Sequence, residues 1–112
     1  NKTFISKWLD VMPFNETRLT ETLYNVGPIS VAIDASSKEF RFYKSGIFDE
    51  CGYNLDHAVL LVGYGTDDGK DYYTIKNSWS ETYGDEGYIK ISRGVHSFGT
   101  CGITMMPSFP II

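Results

Sequence analysis

The sequence predicts a mainly β domain of the α+β class, an antiparallel, barrel-like sheet with one short helix. Three observations predict it. Aromatic residues make up 15% of the chain, with eight Tyr and seven Phe, and eleven Gly accompany them. Aromatic side chains fit a pleated, half-buried surface, and Gly supplies tight turns. Two apolar segments, His57–Tyr64 and Asp71–Lys76, flank an Asp-Gly turn and read as a hairpin. Helical spacing is confined to one stretch, Glu16–Asn25, where Leu19, Leu23 and Val26 recur.

Taken in order, residues 1–15 read as an extended opening segment with Phe4, Ile5, Trp8 and Leu9 apolar, broken at Pro13. Asn15 or Thr17 caps the helix, and Gly27-Pro28 ends it. Ile29–Ile33 is β-branched and reads as a strand. Residues 34–56 are rich in polar and turn residues and read as a structured loop with one helical turn. His57–Tyr64 is a near-continuous apolar run, the pattern of a strand buried on both faces. Residues 66–70 form the turn and Asp71–Lys76 the return strand. After a turn at Gly84–Gly87, Tyr88–Ser92 sets Tyr88, Lys90 and Ser92 against Ile89 and Ile91, as a half-exposed strand does. The tail from Cys101 to Ile112 is apolar and is expected to pack on the sheet. The whole chain reads as one domain.

Composition excludes several function classes. The net charge of −4 argues against nucleic acid or an anionic membrane as partner, since phosphates need clustered Lys and Arg. No stretch approaches the roughly 18 apolar residues of a membrane span. The chain carries no signal peptide and starts at Asn1, which reads as a processed or truncated product. Asn1-Lys2-Thr3 and Asn15-Glu16-Thr17 are glycosylation sequons and fit the secretory route. Cys51 and Cys101 are either two buried free thiols or a bridge; a bridge over that span would contribute about 4 kcal/mol in the chain-entropy description.

The candidates for chemistry are few. His57 stands where a polar loop enters a strand, and element ends are where scaffolds present reactive groups. A lone histidine there is equally a structural residue, hydrogen-bonded at a strand start. Asn77 ends the return strand, so the hairpin brings it near His57. A neutral amide can accept the ring N–H and fix tautomer and orientation without quenching an imidazolium. Trp79 is placed to shield that bond from water, or simply to pack. No Ser, Thr or Cys matches His57 as a nucleophile; Cys101 is followed by Gly and an apolar strand, and neither cysteine begins a predicted helix. No metal spacing is present, and no cofactor is implied. Asp67-Asp68-Gly69 lacks the remaining ligands of a calcium loop. His96 reads as a solvated loop residue.

Several ordered motifs resemble papain-like cysteine peptidases of the cathepsin L-like kind. They are residues 27–35 (GPISVAIDA), 42–48 (FYKSGIF), 56–65 (DHAVLLVGYG), 72–79 (YYTIKNSW), 84–89 (GDEGYI) and 101–103 (CGI). The opening segment is most similar to the 26/29 kDa-type members of insects. The resemblance implies a papain-like right-hand domain, the C-terminal half of such an enzyme. It implies that His57 is the imidazole of a thiolate ion pair, with Asn77 holding the ring and Trp79 shielding the contact. It pairs Cys51 with Cys101, and it places Leu55, Asp56, Ala58 and Met106 at the substrate pocket. The implied partners are a cysteine-bearing N-terminal domain or chain, polypeptide substrates, and cystatin-type or propeptide inhibitors. The implied location is lysosomal or secreted.

The sequence also departs from the family. The nucleophilic cysteine should precede the histidine by roughly 130–150 residues, yet only 56 residues precede His57. Ser80 stands for a glycine, and Tyr73 and Tyr83 for tryptophans. The expectation is a peptidase half, inactive alone and completed by a cysteine on a partner domain or chain. The alternative is a non-catalytic papain-like domain that binds or scaffolds.

Overall fold

The computed structural model describes residues 7–95 and 99–111. Asn1, Phe4, Ile5, His96 and Ile112 lie outside them. Ten elements follow in order: β1 (Lys7–Asp10), α1 (Glu16–Val26), β2 (Ile29–Ile33), α2 (Lys38–Arg41), β3 (Ile47–Phe48), β4 (His57–Asp67), β5 (Lys70–Lys76), β6 (Tyr88–Ser92), a 3-10 turn at Thr100–Gly102, and β7 (Ser108–Ile111). The strands form one sheet in the order β1-β7-β2-β4-β5-β6-β3. Leu19 and Leu23 of α1, Phe40 of α2 and inward residues of β2 through β6 join a single buried cluster. One sheet therefore wraps one core, as a barrel-like half requires.

Local chemistry explains the elements. Of the two candidate caps, Asn15 serves: its side chain accepts from the Arg18 N–H at 2.9 Å. Leu19 and Leu23 are buried, whereas Val26, third in the apolar series, is exposed at the last turn. Ser37 caps the single helical turn, α2, and buries Phe40. The β4–β5 turn is Asp68-Gly69, with both residues at positive φ, 51° and 74°. That is the primed geometry which two-residue hairpins prefer, and it is why Gly follows Asp here. Arg93 staples this end of the sheet, donating to the carbonyls of Gly65 and Tyr72.

Four expectations change. First, β4 runs on to Asp67 and is not buried on both faces. Val59 and Leu61 are buried, while Ala58 and Leu60 are exposed. The sheet has a single core face, so even an all-apolar strand alternates. Second, the 34–56 loop contains β3, which pairs with β6 in parallel, making one non-antiparallel contact. Two residues are too few to show a period. Third, Ser92 is buried and hydrogen-bonds to Thr100, although it alternates with Ile91. Fourth, no strand follows Cys101 directly. A 3-10 turn intervenes, and β7 begins at Ser108, pairing with β1 and β2. The opening segment is extended where described, as β1.

Cys51 and Cys101 form a disulfide spanning 50 residues, with Cα atoms 5.2 Å apart. It ties the loop before β4 to the turn before β7. Replacing both cysteines by Ser is expected to lower the free energy of unfolding by about 4 kcal/mol. Urea denaturation of both forms checks this, and a difference below about 1 kcal/mol would show that the bridge closes a loop already ordered in the unfolded chain.

Candidate functional site

β4 and β5 do not pair in one unbroken register. From the turn, Thr66 faces Asp71, Tyr64 faces Tyr73 and Gly63 faces Thr74, but Leu61 then faces Ile75, leaving Val62 as an extra residue. This bulge shifts the parity of β4 relative to β5. Before it, the odd-numbered residues Val59 and Leu61 share the core face with Tyr73 and Ile75 of β5. His57 and Asn77 carry the same parity, so both project from that face at its open end. An unbulged hairpin would put them on opposite faces.

The His57 Nε2 and Asn77 Oδ1 atoms are 2.8 Å apart. A carbonyl oxygen only accepts, so Nε2 carries the proton and the neutral ring keeps its lone pair on Nδ1. His57 is half-buried and Asn77 is buried. The backbone N–H of Asn77 donates to the Gly87 carbonyl at 3.0 Å, and that of Gly87 to the Tyr83 carbonyl at 2.7 Å, closing the 78–87 loop.

An aromatic cluster surrounds the pair. The Trp79 ring lies 5.1 Å from that of His57 and remains 42% exposed. Its edges meet Phe40 and Tyr83 at centroid distances of 5.6 and 4.9 Å, nearly perpendicular in each case. Phe40 stacks on Tyr83 at 5.7 Å, and the Tyr83 hydroxyl donates to the Phe40 carbonyl at 2.7 Å. Burial pushes the Tyr83 phenol well up, and the Asn77 side chain opposes that in part. Aromatic packing of this kind lowers the local dielectric.

The approach to His57 is anchored by the end of β2. The Asp56 N–H donates to the Ile33 carbonyl at 3.1 Å, and the Asp56 carboxylate accepts from the Ala35 N–H at 2.9 Å. The buried Asp34 carboxylate accepts from the backbone N–H and hydroxyl of Ser36 and from the Asn54 N–H. Burial alone would raise its pKa; the hydrogen bonds from Ser36, Asn54 and Gly52 outweigh that and hold it below the ordinary range. The Asp34 N–H donates to the Cys101 carbonyl at 2.9 Å. Loop 51–56 is thus fixed at both ends, by the disulfide and by β2. Neither Asp34 nor Tyr83 stood out as a site residue in the sequence. A buried Asp after a strand and an aromatic six residues past Asn77 are too common to single out.

The remaining candidates are placed as follows. Leu55 is half-buried against Gly102: a Cβ there would sit 2.8 Å from Leu55 Cδ2 and 3.0 Å from Met105 Sδ. Met106 is 66% exposed and lines a hollow of about 220 Å³ with Asp10, Val11, Pro13, Met105 and Pro107. Ala58 is exposed and faces Ala32 across the β2–β4 pair. Asn15, besides capping α1, is half-buried. Neither cysteine is free. Among the described residues no group of three or more His, Cys, Asp or Glu could hold a metal, and no helix is long and apolar enough to cross a membrane.

Residues 2–111 match the family described as papain family cysteine protease. Oryzain beta chain of Oryza sativa subsp. japonica is 45% identical over 101 residues, covering 88% of this chain and 22% of that protein. Cathepsin S of Mus musculus is 49% identical over 104 residues, covering 90% of this chain and 30% of that protein. The bromelain protease of Ananas comosus, solved in complex with the E64 inhibitor, superposes with a TM-score of 0.93 at 40% identity, over 100% of this chain and 53% of that one. Digestive procathepsin L 3 of Tenebrio molitor superposes with a TM-score of 0.89 at 37% identity, over 98% and 36%. The chain spans less than a third of the length of these two curated relatives.

The hydrogen bonds to Asp34 make stability pH-dependent. Its folded pKa lies below the unfolded value of about 3.9, so its contribution is present above that value and is lost as pH falls through the folded pKa. Asp34→Asn is expected to cost about 1–3 kcal/mol at neutral pH and to flatten the decline in stability at acid pH. Thermal melts of both forms between about pH 6 and pH 2.5 check this; parallel curves would show that Asp34 titrates alike in both states.

Proposed function

Because the chain belongs to the papain family of cysteine proteases, we propose that it supplies the general base and its orienting amide for peptide-bond hydrolysis by a cysteine carried on a partner domain or chain. The 2.8 Å contact between His57 Nε2 and Asn77 Oδ1 carries the reading. It leaves Nδ1 as the basic nitrogen and sets it at the end of a rigid sheet.

In this reading Nδ1 takes the thiol proton, giving a thiolate–imidazolium pair. The thiolate sulfur attacks the substrate carbonyl carbon, and Nδ1 returns its proton to the departing amine as the C–N bond breaks. A water then hydrolyses the thioester with His57 again acting as base. A neutral Asn77 suits this role. A carboxylate would pair with the imidazolium and weaken its hold on the thiolate. Trp79 keeps water from the His57–Asn77 bond. Both cysteines of this chain are locked in the disulfide, so the nucleophile belongs to another part of the molecule.

Residues 1–112 then form the C-terminal half, and a cysteine-bearing N-terminal half completes the cleft. Leu55, Asp56, Ala58 and Met106 form this half's wall of the pocket for an apolar substrate side chain. The proform state of the Tenebrio molitor relative supports a propeptide as one partner, with cystatin-type inhibitors as further ones. The disulfide and the sequons at Asn1 and Asn15 support a glycosylated protein that is lysosomal or secreted.

The chain alone is expected to show no turnover of a peptide substrate. Joined to a cysteine-bearing half it is expected to gain activity that a thiol reagent abolishes. In that enzyme His57→Ala is expected to lower kcat at least about 100-fold, and Asn77→Ala by less. Steady-state kinetics check all three, and thiol-sensitive turnover by the isolated chain would overturn the division of labour.

A further inference from the structure

We propose that Asp34 is a specificity-determining residue: its carboxylate holds the backbone beside Leu55 and so sets where that wall of the substrate pocket stands. The proposal rests on the reading of Leu55 and Met106 as walls of the pocket. Asp34 does not line the pocket; it acts through its neighbours, as a positioning residue. The two walls come from separate segments. Leu55 belongs to the 51–56 loop, and Met106 follows the 3-10 turn at Thr100–Gly102. The loop contains neither helix nor strand, so its path is set by whatever holds its backbone polar groups.

Asp34 stands where three segments meet. It follows β2 directly and is 4% exposed. Its N–H donates to the Cys101 carbonyl at 2.9 Å, which fixes the 3-10 turn. Its Oδ2 accepts from the Asn54 N–H at 3.2 Å, one residue before Leu55. Its Oδ1 accepts from the Ser36 N–H at 3.0 Å and from the Ser36 hydroxyl at 2.5 Å. The loop passes so close that a Cβ on Gly52 would sit 3.0 Å from Oδ2. Glycine is what permits that approach. On its other side Leu55 meets Gly102, the residue after Cys101: a Cβ there would sit 2.8 Å from Leu55 Cδ2. Leu55 is therefore set between two segments, and Asp34 is bonded to both.

The position calls for a carboxylate. Both of its oxygens accept and neither donates, so one serves Ser36 while the other serves Asn54. An amide of the same shape has a single acceptor oxygen. Ser36 offers that oxygen two donors within its own turn, against one across the loop, so the amide oxygen stays with Ser36. The NH₂ group then faces the Asn54 N–H, donor against donor, and that contact is lost. Asp34→Asn thus releases the Leu55 side and leaves the Ser36 turn in place. The base is spared. His57 keeps its pairing with Ile33 and its contact with Asn77, and the Asp56 carboxylate still accepts from the Ala35 N–H. Substrate fit and proton transfer are therefore held by different hydrogen bonds, and a substitution at Asp34 separates them.

The test uses the enzyme completed by its cysteine-bearing half and two peptide substrates that differ only in the side chain entering the pocket, Val in one and Phe in the other. Asp34→Asn is expected to raise the kcat/KM ratio of the Phe over the Val substrate at least about threefold, because a released wall gives room to the larger side chain. The change is expected in KM, with kcat for each substrate within about twofold of wild type. Gly52→Ala keeps the carboxylate and pushes the loop off Oδ2. It is expected to move the ratio in the same direction, and it decides the matter if the Asn variant does not fold. Leu55→Ala removes the wall itself and is expected to move the ratio further. An unchanged ratio in Leu55→Ala overturns the reading of Leu55 as a wall, and the proposal with it. If Leu55→Ala shifts the ratio while the folded Asp34→Asn and Gly52→Ala enzymes keep the wild-type value, the proposal alone is overturned. A fall in kcat that is equal for both substrates, with the ratio kept, marks a merely structural anchor and overturns it as well.

Discussion

The extra residue at Val62 is the constraint on which the site depends. Strand side chains alternate with a period of two, so one added residue in β4 exchanges the faces of everything on one side of it relative to β5. With the bulge, Val59 and Leu61 join Tyr73 and Ile75 in the core. The same parity carried outward sets His57 and Asn77 side by side. Core packing holds the register, because a slip would turn fully buried Leu61 and Ile75 to solvent, at roughly 1.5–3 kcal/mol each. The hydrophobic core and the site are thus enforced by one register.

Around that pair, every link runs to a rigid element. β2 reaches His57 by direct strand pairing, Ile33 opposite His57, and through the loop anchored on Asp34 and Ala35. The disulfide fixes the far end of that loop to the turn before β7. The aromatic cluster of Phe40, Trp79 and Tyr83 joins α2 to the 78–87 loop. A histidine held from three directions has few rotamers left. Preorganisation of this sort is what a proton-transferring group requires, since geometry lost to motion must be recovered in each turnover.

Much of the fold was legible because its signals are local. The Asp-Gly turn, the Gly-Pro stop after α1 and the β-branched run at Ile29–Ile33 each act within a few residues. The site was legible in part, through the nearness of His57 and Asn77 at the ends of one hairpin. What was not legible is long-range. β3 is two residues long and owes its existence to β6. The outward face of β4 stays open although Ala58 and Leu60 are apolar. Ser92 is buried because Thr100, across a loop, accepts its company.

The sequence by itself determined the family, the helix and the main hairpin, and singled out His57 and Asn77 as the pair to examine. Those follow from residue type and short spacing, which survive without knowledge of the partner surfaces. Tertiary structure alone decided where the bulge falls, and hence that His57 and Asn77 share a face. It also decided that Nε2 rather than Nδ1 meets the amide and that Asp34 anchors the approach. The physical reason is common to all three. A bulge, a tautomer and a depressed carboxylate are each set by what lies across the sheet or across a loop, and no spacing along the chain records that neighbour.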